Sequence, residues 1–397
     1  MPFTISRRAQ RVKPSPTLAV TALANRLKAE GKDIISLGAG EPDFDTPTHI
    51  ADAGVAAIRS GFTRYTNVDG MVELKDAIIA KFKRDNGISY ERNQVLVSSG
   101  AKQTIYNLCM AVLDPGDEVI IPAPYWVSYP DMVLLADGIP VTPSAGPEQG
   151  YKISPRQLQA AITPKTRMVM FNSPSNPTGA VYSEEELSAL GEIAVRRQLI
   201  VISDDIYEHF SDRPLRHIGA LVPALRPRLV AVNSVSKTYA MTGWRLGYAA
   251  APVELIRAMT SLQSQSTSNP PSTAQAAAIA ALGGSQESVA VMAREFRARR
   301  EIVLARLAAI PDVTVVRPEG AFYVFPDVSA YLGRRGPDGA IVSTGELATH
   351  LLRHVGVAVV AGEGFGAPGY VRISYAAERS VLEDGIDRLA RGLAALR

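Results

Sequence analysis

From residue 93 onward the chain alternates short, unbroken apolar runs with longer stretches whose apolar residues recur every three to four positions. Residues 94–98 (QVLVS) predict a strand, and residues 101–113 a helix that Asp114-Pro115-Gly116 stops. Residues 118–122 predict a second strand, the stretch around 130–136 a helix, and residues 167–172 (RMVMFN) another strand. Ser183, with Glu186 three positions later, forms a capping box for a helix running to about Arg197. Residues 199–203, 229–233 and 246–250 are further apolar runs without clean alternation. Such strands are buried on both faces. Separated by helices, they predict a mostly parallel sheet in an α/β domain.

The pattern changes after Pro270-Pro271, which break the helices that follow the sheet. A long helix over 285–310 leads into predicted strands at 313–317, 321–325, 357–360 and 370–374. Helices near 347–354 and 382–396 alternate with them, which predicts a smaller α+β lobe. A length of 397 residues also exceeds what one core usually serves. The expected division is an N-terminal segment, 1–48, that joins the small domain, a large domain over 49–284, and a small C-terminal domain over 285–397.

Composition adds limits. Hydrophobic residues make up 46% and charged residues 20%, which is ordinary for a globular chain. A net charge of +3 from 42 basic and 39 acidic side chains offers no electrostatic reason to invoke nucleic acid or an anionic membrane. The densest basic run, Arg297 to Arg300, lies beside Glu295 and Glu301 and is expected to be a solvated helix face. Cys109 sits in an apolar stretch and is expected to be a buried small hydrophobe. A single cysteine rules out an intrachain disulfide framework and fits a reducing cytosol, so the expected location is cytoplasmic. The first 16 residues are basic but lack an apolar signal core. No apolar run reaches the roughly 18 residues of a membrane span.

Three clusters carry candidate chemistry. In Ser234-Val235-Ser236-Lys237, with Arg245 eight residues later, a lysine at a strand end is flanked by hydroxyls and followed by a guanidinium. A buried lysine loses its charge easily, which makes the amine nucleophilic toward an aldehyde; the hydroxyls and arginine suit a phosphate dianion. A solvated lysine after a strand fits the tetrapeptide equally well. In Ser203-Asp204-Asp205-Ile206-Tyr207, Asp204 at a strand's carboxyl end could keep a pyridine nitrogen protonated, and the Tyr207 phenol could reach the ring's 3-oxygen. The alternative is a helix-capping aspartate and a packed tyrosine. In Asn172-Ser173-Pro174-Ser175-Asn176-Pro177-Thr178-Gly179, two prolines and a glycine shape an irregular loop that aims the Asn176 amide at a cofactor oxygen or a substrate carboxylate. Ser98-Ser99-Gly100-Ala101-Lys102 adds a helix N-terminus fit for an anion. Trp126 follows the next strand and could stack on a pyridine face, or be a core tryptophan.

In this order the motifs resemble the class I aminotransferases of pyridoxal-phosphate (PLP) fold type I, over essentially the whole chain. The resemblance rests on Asn-Pro-x-Gly, Ser-Asp-x-Ile-Tyr and Ser-x-Ser-Lys with arginine at plus eight. It is closest to the bacterial aspartate aminotransferase subgroup, including enzymes that also use prephenate. The shared segments there are 13–15 (KPS), 38–44 (GAGEPDF), Tyr125-Trp126 and 370–375 (YVRISY). The resemblance implies that Lys237 is the Schiff-base lysine and catalytic base, with Asp204 and Tyr207 on the ring. It puts Ser234, Ser236, Arg245, Gly100 and Ala101 around the phosphate, and Tyr65 on the phosphate of a neighbouring subunit in a homodimer with shared sites. Gly40, Trp126, Asn176 and Arg372 match the substrate-binding set, with Arg372 on the α-carboxylate. A lysine at the position of Lys13 is tied to dicarboxylic substrates, and a solvated tail lysine is the alternative. The implied reaction transfers the amino group of aspartate to 2-oxoglutarate, with prephenate as a further acceptor; no metal is implied. Asp205 stands where the family usually has glutamate.

Rival readings fare worse. A dinucleotide fingerprint at Gly38-Ala39-Gly40 lacks its third glycine, where Asp43 stands, and Pro42 interrupts the turn. A regulator built on this fold carries an N-terminal helix-turn-helix domain, whereas here the aminotransferase pattern starts within the first 20 residues. PLP lyases share the fold, and the product tells them apart.

Overall fold

The six apolar runs between residues 94 and 250 all become strands of one seven-stranded sheet. The seventh is a short edge strand, Ile139–Val141, that the apolar pattern does not mark. This computed structural model describes residues 3–12 and 16–397. Across the sheet the order is Val95–Ser98, Gly247–Ala250, Leu229–Ser234, Ile200–Asp204, Thr166–Asn172, Glu118–Ile120 and Ile139–Val141. Only Gly247–Ala250 runs against its neighbours, so the sheet is mostly parallel and the fold is α/β.

The missing alternation has a direct cause. Met168, Met170, Ile202, Val230 and Val232 face a core under helices Ala101–Val112 and Val253–Ser264, while Val169, Val201, Val97 and Ala231 face cores on the other side. Both faces are dry, so no position on these strands needs a polar residue. Cys109 is buried in the first of these cores, where burial pushes its thiol up to about 12.

A second, three-stranded antiparallel sheet has the order Val360–Ala361, Val371–Ser374, Tyr323–Val324. It packs with Glu287–Leu307, Thr344–His354 and Arg379–Ala394 around Phe296, Phe322, Leu347, Ile373 and Leu389. The N-terminal pair Ile35–Ser36 lies parallel to Val357–Ala358.

Three expectations need correction. Residues 313–317 form no strand: Thr314 makes a single bridge to Asp327, and Pro326 before it has no N–H to extend the ladder. Residues 357–360 are not one strand either. Val357–Ala358 pairs with the N-terminal segment and Val360–Ala361 with Val371–Ser374, so the chain changes sheets at Val359. The basic run on the long helix is not a solvated face, because Arg299 and Arg300 are 6% and 4% exposed. They share the inward side of the helix with Phe296 and Val303, and carboxylates from the same helix and from distant segments neutralise them. Arg299 pairs with Asp43 (2.7 Å) and Glu295 (3.0 Å), and Arg300 with Asp212 (2.9 Å). Arg297 alone is exposed. Helix Ser272–Gly283 also went unmarked, since its sequence (STAQAAAIAALG) has no polar stripe. Among the described residues no single helix is long and apolar enough to cross a membrane; Ser272–Gly283 and Glu287–Leu307 pass that test only as a pair bent by 80°.

Polar bonds in the interior tie together the ends of two central strands. Glu208, just past Ile200–Asp204, accepts from Lys81 Nζ, from Asn86 Nδ2 (2.7 Å) and from Asn233 Nδ2 (2.6 Å). Asn233 Oδ1 in turn accepts the N–H of Ser234 at 2.7 Å. Burial would raise the carboxyl's pKa, but the Lys81 and His209 charges and these hydrogen bonds bring it below the ordinary value. Removing one partner of a buried pair leaves the other uncompensated. Lys81→Met should therefore lower stability by about 3 kcal/mol, measured by urea unfolding.

Candidate active site

The proposed functional side chains converge at the carboxyl ends of the parallel strands, where open α/β sheets bind ligands. Ser234 ends one strand and starts the single-turn helix Val235–Thr238. Its Oγ accepts the Ser236 N–H at 2.9 Å and lies 2.9 Å from the Leu246 carbonyl and 2.8 Å from Ser236 Oγ. That cap turns Lys237 toward the N-terminal segment, where Nζ donates to the carbonyl of Gly40. Burial lowers the Lys237 pKa to about 8. Glu41 opposes the shift, and the charges of Arg372, Arg245 and Lys102 add to it.

Asp204 closes the neighbouring strand, 4% exposed. Its carboxyl accepts from Tyr129 Oη at 2.5 Å. Burial pushes its pKa up to about 7; the Tyr129 bond pulls down and the Asp205 charge pushes up. Tyr207 is buried, with its hydroxyl 2.8 Å from that of Tyr323.

Arg372 reaches the same place from the smaller sheet. Its Nη1 donates to Asn176 Oδ1 at 2.9 Å and its Nη2 to the Gly38 carbonyl at 2.8 Å. The guanidinium lies 4.5 Å from the ring centre of Tyr323, and its buried Nε has no hydrogen-bond partner among the described residues. The Asn176 N–H donates to Asn172 Oδ1 (2.8 Å), and Asn172 Nδ2 donates to the Asp204 carbonyl (2.9 Å). Peptide bonds preceding Pro174 and Pro177 are cis.

Beside this lies a cradle of backbone and cation. Gly100, at φ +94°, caps helix Ala101–Val112, and a Cβ there would come within 2.5 Å of Arg245 Nη2. A Cβ on Gly247 would meet the Ala101 nitrogen at 2.1 Å. Both glycines therefore allow an approach that any side chain would block. Arg245 is held by its Nη1 bond to the Thr242 carbonyl at 2.9 Å, and the hydroxyl of buried Ser98 has no partner among the described residues. Trp126 is half-buried, stands edge-on to Tyr129, and lines a cavity with Asn172 and Asn176. Lys102 Nζ lies 4.9 Å over its ring. Burial and then the Arg245 charge lower the Lys102 pKa.

One expected residue stands apart, and one cannot be placed. Tyr65 is 90% exposed, and among the described residues no hydrogen bond or ion pair joins it to the site. Lys13 lies outside the described residues. Sequence reasoning assigned no role to Tyr129, Tyr323 or the Lys102 side chain. Tyr129 meets a partner 75 positions away and Tyr323 one 116 positions away, so no local spacing could have signalled either.

The raised pKa of Asp204 carries a sign. Between its ordinary 3.8 and about 7 the folded state holds a proton that the unfolded chain has lost, so stability falls as pH rises through that window. Without ligand, Asp204→Asn should be more stable than the parent by a few kcal/mol at about pH 8, with little difference near pH 4. Urea unfolding at both pH values measures this.

Comparison with known proteins follows the same lines. Residues 32–389 match the profile of the family "Aminotransferase class I and II". An aspartate/prephenate aminotransferase of Cereibacter sphaeroides is 54% identical over 383 residues, 96% of each chain. The crystal structure of the aspartate aminotransferase from Rhizobium meliloti superposes with a TM-score of 0.95 at 44% identity, covering 100% of both chains. That of the Thermus thermophilus aspartate aminotransferase with maleate gives 0.92 at 43% identity, covering 98% of this chain and 100% of the other. The chain belongs to the class I and II aminotransferases, enzymes that move amino groups between amino acids and 2-oxo acids.

Proposed function

We propose that this aminotransferase uses pyridoxal phosphate and takes its amino group from aspartate, passing it to 2-oxoglutarate, with prephenate as a further acceptor. The observation that carries the reading is the meeting of the Lys237 amine, the buried Asp204 carboxyl and the buried Arg372 guanidinium beside the Gly100–Arg245 cradle. The donor set fits the cofactor. Free helix amides at Ala101, the Ser236 hydroxyl and Arg245 suit a phosphate dianion, while Ser234 shapes the turn beneath them. Asp204 suits a protonated ring nitrogen, Tyr207 the ring 3-oxygen and Trp126 the ring face.

Bound pyridoxal phosphate supplies an electron sink that makes the Cα proton of an amino acid removable. Lys237, whose lowered pKa leaves part of it unprotonated near neutral pH, is the covalent anchor and takes that proton at Nζ. Arg372 and Asn176 hold the α-carboxylate, with Gly40 lining the same place. Arg372 has donor capacity left, since its Nε is unpartnered among the described residues. Lys102, poised over Trp126, is a cation available to a distal carboxylate; the resemblance of the segment 13–15 (KPS) proposes Lys13 as a second. The dicarboxylate maleate in the Thermus thermophilus structure and the prephenate in the name of the Cereibacter sphaeroides relative support this substrate class.

Tyr65 would serve the phosphate of a second subunit, in a homodimer with shared sites. Its exposure in the single chain supports this. The proposed domains are 49–284 around the large sheet and 285–397 joined by 1–48. The pairing of Ile35–Ser36 with Val357–Ala358 supports that assignment of the N-terminal segment.

The test is a visible absorbance spectrum of the loaded protein. Aspartate should bleach the band of the lysine-linked cofactor and 2-oxoglutarate should restore it, with oxaloacetate and glutamate as products. Steady-state rates with phenylalanine, alanine and prephenate give the selectivity, and indifference to aspartate would sink the substrate assignment. Lys237→Ala should keep the fold, hold the cofactor without a covalent bond, and lose transamination by about a thousandfold or more.

A further inference from the structure

Tyr323 belongs to the two-residue strand Tyr323–Val324 and is completely buried. Its hydroxyl has one hydrogen-bond partner among the described residues, Tyr207 Oη at 2.8 Å, and Tyr207 Oη has no other. The Tyr323 ring lies under the Arg372 guanidinium at 4.5 Å and stands edge-on to the Tyr207 ring, with centroids 5.7 Å apart. One side chain thus touches both the residue proposed for the ring oxygen and the residue proposed for the substrate carboxylate.

A phenol has one proton to donate, so in a pair of phenols one donates to its partner and the partner's own proton is left for a third group. Burial raises both groups, but the charged neighbours differ. Tyr323 faces Arg372, which favours charge on its oxygen, with Glu41 opposing more weakly. Tyr207 is raised well above the ordinary value; Tyr323 and Asp204 push it up, and only Arg372 counters. Either oxygen can donate in this pair, and only when Tyr323 donates is the Tyr207 proton left for a group bound in the site.

We infer that Tyr323 is a positioning residue for transamination: it donates its hydroxyl proton to Tyr207 Oη and so directs the Tyr207 proton into the site, toward the ring oxygen of the cofactor. This inference rests on the pyridoxal-phosphate reading above. A hydrogen bond to that oxygen draws on the electron density that would otherwise help hold a proton on the adjacent nitrogen joined to Lys237. Losing the Tyr323 donor weakens that bond, so the nitrogen keeps its proton to higher pH.

The experiment titrates the visible absorbance of the cofactor-loaded protein against pH for the parent, Tyr323→Phe, Tyr207→Phe and the double variant. Tyr323→Phe keeps the ring beneath Arg372 and removes only the hydroxyl. It should raise the midpoint by about half a unit to one unit and lower kcat several-fold, with KM for the dicarboxylate within about twofold of the parent. Tyr207→Phe should raise the midpoint further, and adding Tyr323→Phe to it should produce no additional shift, because the two hydroxyls act in series. Thermal melting checks that each variant is folded. An unmoved midpoint in Tyr323→Phe, an additive shift in the double variant, or a rise in KM without a shift would overturn the inference while leaving the cofactor reading intact. A parent protein that binds no cofactor at Lys237 would overturn both.

Discussion

The hydrogen bond from Arg372 to Asn176 joins the three-stranded sheet to a loop of the seven-stranded one, and the arrangement of the site depends on it. Arg372 comes from the three-stranded sheet, and Asn176 from the loop that leaves the large sheet at Asn172. A guanidinium buried to 2% exposure is costly to desolvate unless its donors are matched. Asn176 and the Gly38 carbonyl match two of its groups, and the rings of Tyr323 and Phe365 cover its faces. Because Asn172 also holds the Asp204 carbonyl, the chain Arg372–Asn176–Asn172–Asp204 runs from one sheet to the other.

Charge placement follows from the same geometry. Lys237, Arg245, Lys102 and Arg372 all bear on one small region, and Lys237 feels the other three as repulsion. Burial and crowding by like charge are unfavourable for a lysine that stays protonated, and that is the condition for an amine that reacts near neutral pH. The opposite strain falls on Asp204, a carboxyl in a dry place with Asp205 beside it. A site whose acid is pushed up and whose amine is pushed down is incomplete by itself. A ligand carrying both an anionic group and a ring cation would relieve both. The buried Lys81–Glu208–Asn233 bonds lie behind this region and hold the Tyr207 and Lys237 segments in register.

Much of this is legible in the amino-acid sequence. The strands around Met168, Ile202 and Val232 could be read because burial on both faces removes polar residues from them altogether. Ser183 and Glu186 marked a helix start that is made by the bonds expected of a capping box. The motifs around Lys237, Asp204 and Asn176 were readable because each packs its chemistry into a few consecutive residues at a strand end. Arg299 and Arg300 were misread because a basic run looks the same whether water or distant carboxylates surround it. Here Asp43 and Asp212 do so, from 256 and 88 positions away. Residues 313–317 and 357–360 had the apolar content of strands, but pairing depends on what lies alongside, and one proline and one change of sheet decided it.

What the amino-acid order determined by itself was local: which segments favour strand or helix, where capping and proline stop them, and which short motifs bring a lysine, a carboxylate or an amide to a strand end. Those features depend on backbone sterics, capping and hydrophobic periodicity within a dozen residues. Only the tertiary structure decided which motifs share a site, that Tyr129 bonds to Asp204, that Tyr323 stands between Tyr207 and Arg372, and how burial shifts Lys237 and Asp204 in opposite directions. These depend on distances across the fold, on which groups lose water and on which charges come to face one another, and no local pattern in a chain records that.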